Sequence, residues 1–73
     1  MKTGEIWQAD DMIILLGTRM PNDIWMVAPF GGGVSNLKRV ISHIRSGGIQ
    51  WAYNEISGDD IRKNFHKVYE AEI

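Results

Sequence analysis

Three tryptophans, Trp7, Trp25 and Trp51, are spread through 73 residues that contain no cysteine. A chain this short needs a crosslink, a metal or an unusually well-filled core to hold one fold. Disulfides are excluded, and His43 and His66 are too few to build a structural zinc site. The expectation is a small domain whose core is carried by large aromatic side chains. A core of this size leaves a net stability of about 3–5 kcal/mol, so losing one buried tryptophan is expected to unfold it.

Apolar residues make up 44% of the chain and charged residues 23%, the proportions of a globular protein rather than a disordered one. One domain is expected at this length. The formal net charge of −1 argues against a protein whose main task is neutralising phosphates. Met1-Lys2-Thr3-Gly4-Glu5 has no apolar leader stretch, and the longest apolar run, Met12 to Leu16, is far too short to span a bilayer. These features predict a soluble, cytoplasmic protein without a membrane partner.

Turn residues divide the chain into short apolar runs. Gly4 to Ala9 reads as a strand, broken by Asp10-Asp11, whose short carboxylates bond to nearby amides. Met12 to Thr18 lacks polar alternation and predicts a central strand buried on both faces. Met20-Pro21-Asn22-Asp23 is a turn, and Ile24 to Phe30 a third strand ended by Pro29, giving an antiparallel meander. Gly31-Gly32-Gly33 reads as a flexible connector. Between Ser35 and Arg45, the residues Leu37, Val40, Ile41 and Ile44 recur at the spacing of one helix face. A hairpin through Ser46-Gly47-Gly48 competes, but four apolar positions fit the helix and strict alternation fails. Ile49 to Ile56 is a strand by its aromatic and branched content, and Ser57 with Asp60 is a capping box that opens a helical turn. His66 to Ile73 closes the chain as a last strand or as more helix.

The predicted class is therefore α+β or mainly β: a small twisted antiparallel sheet of four to five strands with one or two short helices. This order resembles the small SH3-like barrel, in which a one-turn helix precedes the closing strand, at the place of Gly58-Asp59-Asp60-Ile61-Arg62. The opening Lys2-Thr3-Gly4-Glu5-Ile6-Trp7 is also similar to the first strand of PemK-type toxin ribonucleases, which use a related barrel. Those toxins carry a basic, Arg-Pro-bearing second strand that Met12 to Thr18 does not reproduce. The resemblance thus implies a fold and no catalytic residue. In its acid–base balance and length the chain is also similar to phage accessory proteins.

Motifs that would carry chemistry are weak. Neither histidine stands in a nucleophile motif, and Asp10-Asp11 and Asp59-Asp60 suit caps and turns better than acid–base catalysis or a calcium loop. Gly31 to Lys38 lacks the endings of a phosphate-binding loop or a dinucleotide fingerprint. No enzyme activity, metal or cofactor is predicted. Charge is uneven, however: Ser35 to Tyr53 carries Lys38, Arg39 and Arg45 and no acid, followed by Trp51 and Tyr53. Cations beside rings suit single-stranded nucleic acid, and equally the anchors of a protein interface.

The expected function is a non-enzymatic interaction module that binds and modulates or inhibits a protein partner by occlusion. A phage-encoded inhibitor of a host factor is its concrete form. Trp25, Phe30, Lys38, Arg39, Arg45, Trp51 and Tyr53 are the expected contact residues. A small nucleic-acid-binding regulator is the alternative and a toxin-like ribonuclease the third reading. Exposed sheet edges make a homo-oligomer a further expectation.

Overall fold

Local turn chemistry sets up the first hairpin. Strand β1 (Ile6–Ala9) reverses through Asp10 and Asp11 into β2 (Met12–Met20), with Ala9 paired to Met12. Asp10 has φ 50°, a left-handed conformation that aspartate tolerates in tight hairpins. The computed structural model describes residues 1–46 and 54–70. A 3₁₀ turn at Pro21–Asp23 leads to β3 (Ile24–Gly31), and a second at Gly33–Asn36 leads to α1 (Leu37–Ser46). Strand β4 (Asn54–Ser57), α2 (Gly58–Asn64) and β5 (His66–Tyr69) complete the described chain. All neighbouring strands pair antiparallel in one sheet, in the order β4-β3-β2-β1-β5.

The unbroken apolar run predicted to be central is central. Ile13, Ile14, Leu15 and Leu16 are each at most 2% exposed, and alternate residues serve opposite faces of the sheet. Ile13 and Leu15 join Ile6 and Ala28 beneath Val40 of α1, with Leu37, Ile41, Ile44 and Phe30 packed around them. Ile14 and Leu16 join Trp25 and Val27 against Ile61 of α2, with Trp7, Ile56, Phe65 and Met1 at the margin. Both faces are covered, so a single sheet carries two apolar layers.

Three expectations need correction. Trp25 is the only aromatic in the buried core among the described residues; the rest is aliphatic, because β2 inserts its branched residues into both layers. Pro29 does not end β3, which continues to Gly31 and pairs Pro29 with Ile14. The described pairs between β4 and β3 run from Ile24 to Val27, and Pro29 takes its place in the sheet opposite Ile14 of β2. The triple glycine is a tight turn rather than a loose connector. Gly32 and Gly33 have φ of 86° and 55°, and a β-carbon on Gly33 would lie 3.3 Å from Gln8 Nε2 and 3.4 Å from the Asp11 Cα.

The Ser35–Arg45 segment resolves as helix α1 from Leu37 onward, with Ser35 and Asn36 in the preceding 3₁₀ turn. The turn after Ser57 grows into the seven-residue α2, and Ser57 Oγ accepts from the Asp60 N–H at 3.1 Å. The last segment is strand over His66–Tyr69. Of the strand predicted for Ile49 to Ile56, Asn54 onward is β4, while Trp51 and Tyr53 lie outside the described residues. Among those residues no helix is long and apolar enough to cross a membrane.

Candidate functional site

Helix α1 is amphipathic because its four apolar residues share one side, and that side is spent on the sheet. Each helical residue advances about 100° around the axis, so the remaining residues fall on two different flanks. Lys38, Ser42 and Arg45 stand together beside Ile41 on one flank. Arg39 projects about 100° away from Lys38, on the other. The first flank borders an open cleft of about 530 Å³ lined by Lys38, Ile41, Ser42, Arg45 and Ser46.

The solvent side of α1 is electrostatically one-sided. Lys38, Arg39, Ser42 and Arg45 are exposed, Ile41 is half-buried, and α1 contains no acidic residue. Among the described residues the ion pairs are Arg19–Asp23, Arg62–Asp23, Arg62–Asp59, Lys67–Glu5 and Lys67–Glu70. None engages Lys38, Arg39 or Arg45. A molecule with a net charge of −1 therefore keeps on one helix a positive stripe that no ion pair among the described residues offsets.

The remaining predicted contact residues are divided. Phe30 is half-buried beneath the α1 layer, close to the cationic helix. Trp25 faces the other layer and is 3% exposed, with its indole Nε1–H donating to Asp23 Oδ1 at 3.2 Å. The structure thus separates Trp25 from the cations it was grouped with, because odd-numbered β3 residues face α2 there and even-numbered ones face α1.

A polar cluster that sequence reasoning passed over surrounds Asp23. Arg62 Nη2 donates to Asp23 Oδ2 at 2.7 Å and to Asp59 Oδ1 at 2.7 Å. Arg19 Nε approaches Asp23 Oδ1 at 3.5 Å. These groups, with Met1 and Trp25, line a second cleft of about 250 Å³. The Arg62 hydrogen bond, outweighing partial burial and helped by the Trp25 and Arg19 contacts, holds the Asp23 carboxyl below its usual range. The same bonds to Asp23 and Asp59 keep Arg62 more firmly protonated. Both arginines already face a carboxylate, so the cluster fastens α2 to the β2–β3 turn. Thirty-nine residues separate Asp23 from Arg62, and no local pattern links them.

A buried acid fastens the opposite edge. Glu5 is 3% exposed, accepts from Trp7 Nε1 at 3.0 Å and lies 3.8 Å from Lys67 Nζ of β5. Burial opposes its charge, but the Trp7 bond, the Lys2 amide, Lys67 and the amino terminus together lower its pKa.

The described residues include no group of three or more His, Asp or Glu side chains able to hold a metal ion. His66 is exposed on β5, and Asp59 and Asp60 sit in the first turn of α2, which Ser57 caps. No protein-family model, curated protein or solved structure matches this chain.

Proposed function

We propose that this protein is a non-enzymatic binding module that uses α1 to occlude an acidic surface of a protein partner. The observation that carries the reading is the set of exposed cations on α1 near the half-buried Ile41, which make no ion pair among the described residues. An apolar centre with a polar rim is the anatomy of a protein interface. The rigidity needed for occlusion follows from the backing of α1 by the apolar layer of Ile6, Ile13, Leu15 and Ala28. Trp25 plays no contact role in this reading; Lys38, Arg45 and Arg39 supply the charge and Ile41 and Phe30 the apolar support. A phage-encoded inhibitor of a host factor is the concrete form of such a role. The position of α2 between β4 and the final strand supports an SH3-like barrel as the scaffold.

Titration of ¹⁵N-labelled protein with poly-glutamate tests the reading. Perturbation of the Lys38–Ser46 amides that weakens with added salt is the expected result. Undisturbed α1 amides remove the proposal. A single-stranded oligonucleotide that binds the same amides more tightly, with a steep salt dependence, replaces it with the nucleic-acid alternative. Light scattering at two concentrations tests the accompanying proposal that copies pair along β4 or β5, the sheet edges.

A further inference from the structure

The flank of α1 that borders the large cleft has the spacing of a helix-packing seam. Lys38, Ile41, Ser42, Arg45 and Ser46 stand at i, i+3, i+4, i+7 and i+8. These are the positions that meet a second helix laid along the first. The other side of α1, built on Leu37, Val40, Ile41 and Ile44, uses similar spacing to pack on the sheet and is wholly apolar. The cleft-side seam is polar instead: Ser42 and Ser46 lie on it, and the exposed cations Lys38 and Arg45 bracket Ile41. Like charges seven residues apart on such a seam select a partner carrying the opposite charges at the same spacing.

We infer that the cleft receives an amphipathic helix of the protein partner. That helix presents two carboxylates two turns apart and, between them, an aliphatic residue that covers Ile41. Lys38 and Arg45 are seven residues apart, about 10.5 Å along the axis at 1.5 Å per residue. A helical partner with acids at i and i+7 matches this span on one face. An extended partner does not, since its same-face residues recur about every 6.6 Å and bracket the span without meeting it. The inference rests on the acidic-partner reading above and adds the partner's secondary structure and charge register.

Three synthetic peptides of one alanine-rich composition test it against the full ¹⁵N-labelled chain. The first carries two glutamates seven residues apart flanking a leucine. The second moves them to five residues apart, turning them about 140° from each other. The third keeps the first pattern but has a central proline that breaks the helix. The first peptide is expected to perturb the Lys38–Ser46 amides and to bind about fivefold more tightly than the others, the gain of two exposed ion pairs. Arg45→Glu should erase that preference, and replacing the facing glutamate with lysine should restore it; circular dichroism checks that the variant keeps its fold. Equal binding of all three peptides at α1 overturns the helical register while leaving the acidic-partner reading in place. If poly-glutamate perturbs α1 and none of the peptides does, the inference again falls alone. Silence from poly-glutamate as well removes both.

Discussion

Gly58 and Asp23 share a space that has no room for a β-carbon. One added at Gly58 would lie 2.6 Å from the Asp23 Cγ and 2.7 Å from its Oδ1, overlapping the carboxylate. Asp23 is not free to withdraw, because Trp25, Arg62 and Arg19 all hold it. Alanine for glycine within a helix ordinarily stabilises by about 1 kcal/mol. Here the overlap should win, and Gly58→Ala is expected to lower unfolding stability by about 1–3 kcal/mol. Introducing Gly58→Ala into an Asp23→Ala background should cost far less. Urea unfolding of the four proteins in this cycle measures the coupling, and an unchanged cost in both backgrounds would refute the steric explanation.

Acid should loosen the fold through Asp23 and Glu5. Both have pKa values lowered by folding, so both bind protons more readily in the unfolded chain. Their contribution is fully present above the unfolded values of about 3.9 and 4.3, and is lost as pH falls through the lower folded values. The urea midpoint, followed by tryptophan fluorescence, should hold steady from neutrality to about pH 5 and fall below pH 4. Asp23→Asn should flatten part of that fall while lowering the midpoint at neutral pH. A midpoint independent of pH in the acid range contradicts the two-latch description.

Ile61 is fully buried and is the α2 residue in the second apolar layer. Ile61→Val should cost about 0.5–1.5 kcal/mol and remain cooperative. Ile61→Ala should cost about 2–5 kcal/mol, comparable with the whole stability of a domain this small. Val34, 48% exposed, is the control: Val34→Ser should stay within about 0.5 kcal/mol of the parent. Thermal unfolding by circular dichroism ranks the three. If Ile61→Ala unfolds like the parent, α2 does not close that layer.

The cations of α1 should be dispensable for folding. Lys38, Arg39 and Arg45 make no ion pair among the described residues and are exposed. Each single reversal to glutamate is expected to leave stability within about 0.5 kcal/mol. Lys38→Glu and Arg45→Glu should nevertheless weaken poly-glutamate binding more than Arg39→Glu, which lies on the other flank. Equal losses from all three would mean that net charge, rather than the cleft-side stripe, attracts the ligand.

Much of the architecture was legible because it is local. The apolar run of β2, the carboxylate turn at Asp10, the Ser57 cap and the i, i+3, i+4, i+7 pattern of α1 each follow from a period or a turn preference. Pro29 misled because a residue without an N–H can still stay in the sheet, here opposite Ile14 of β2. The aromatic-core expectation misled because composition reports how much apolar surface exists, not which residues win the central strand. The α1 cations were visible as a basic stretch, and helical geometry then divided Arg39 from Lys38 and Arg45.

The amino-acid order alone marked the first three strands, the turns between them and the helical spacing of α1, since neighbouring side chains and backbone angles decide those questions. It leaves the last segment open between strand and helix. Folding in three dimensions decided the strand order, the inward placement of Trp25 and the meeting of Asp23 with Arg62 across 39 positions. Such outcomes depend on which layers cover the two faces of β2. That competition between distant surfaces for the same apolar area leaves no periodic trace in the chain.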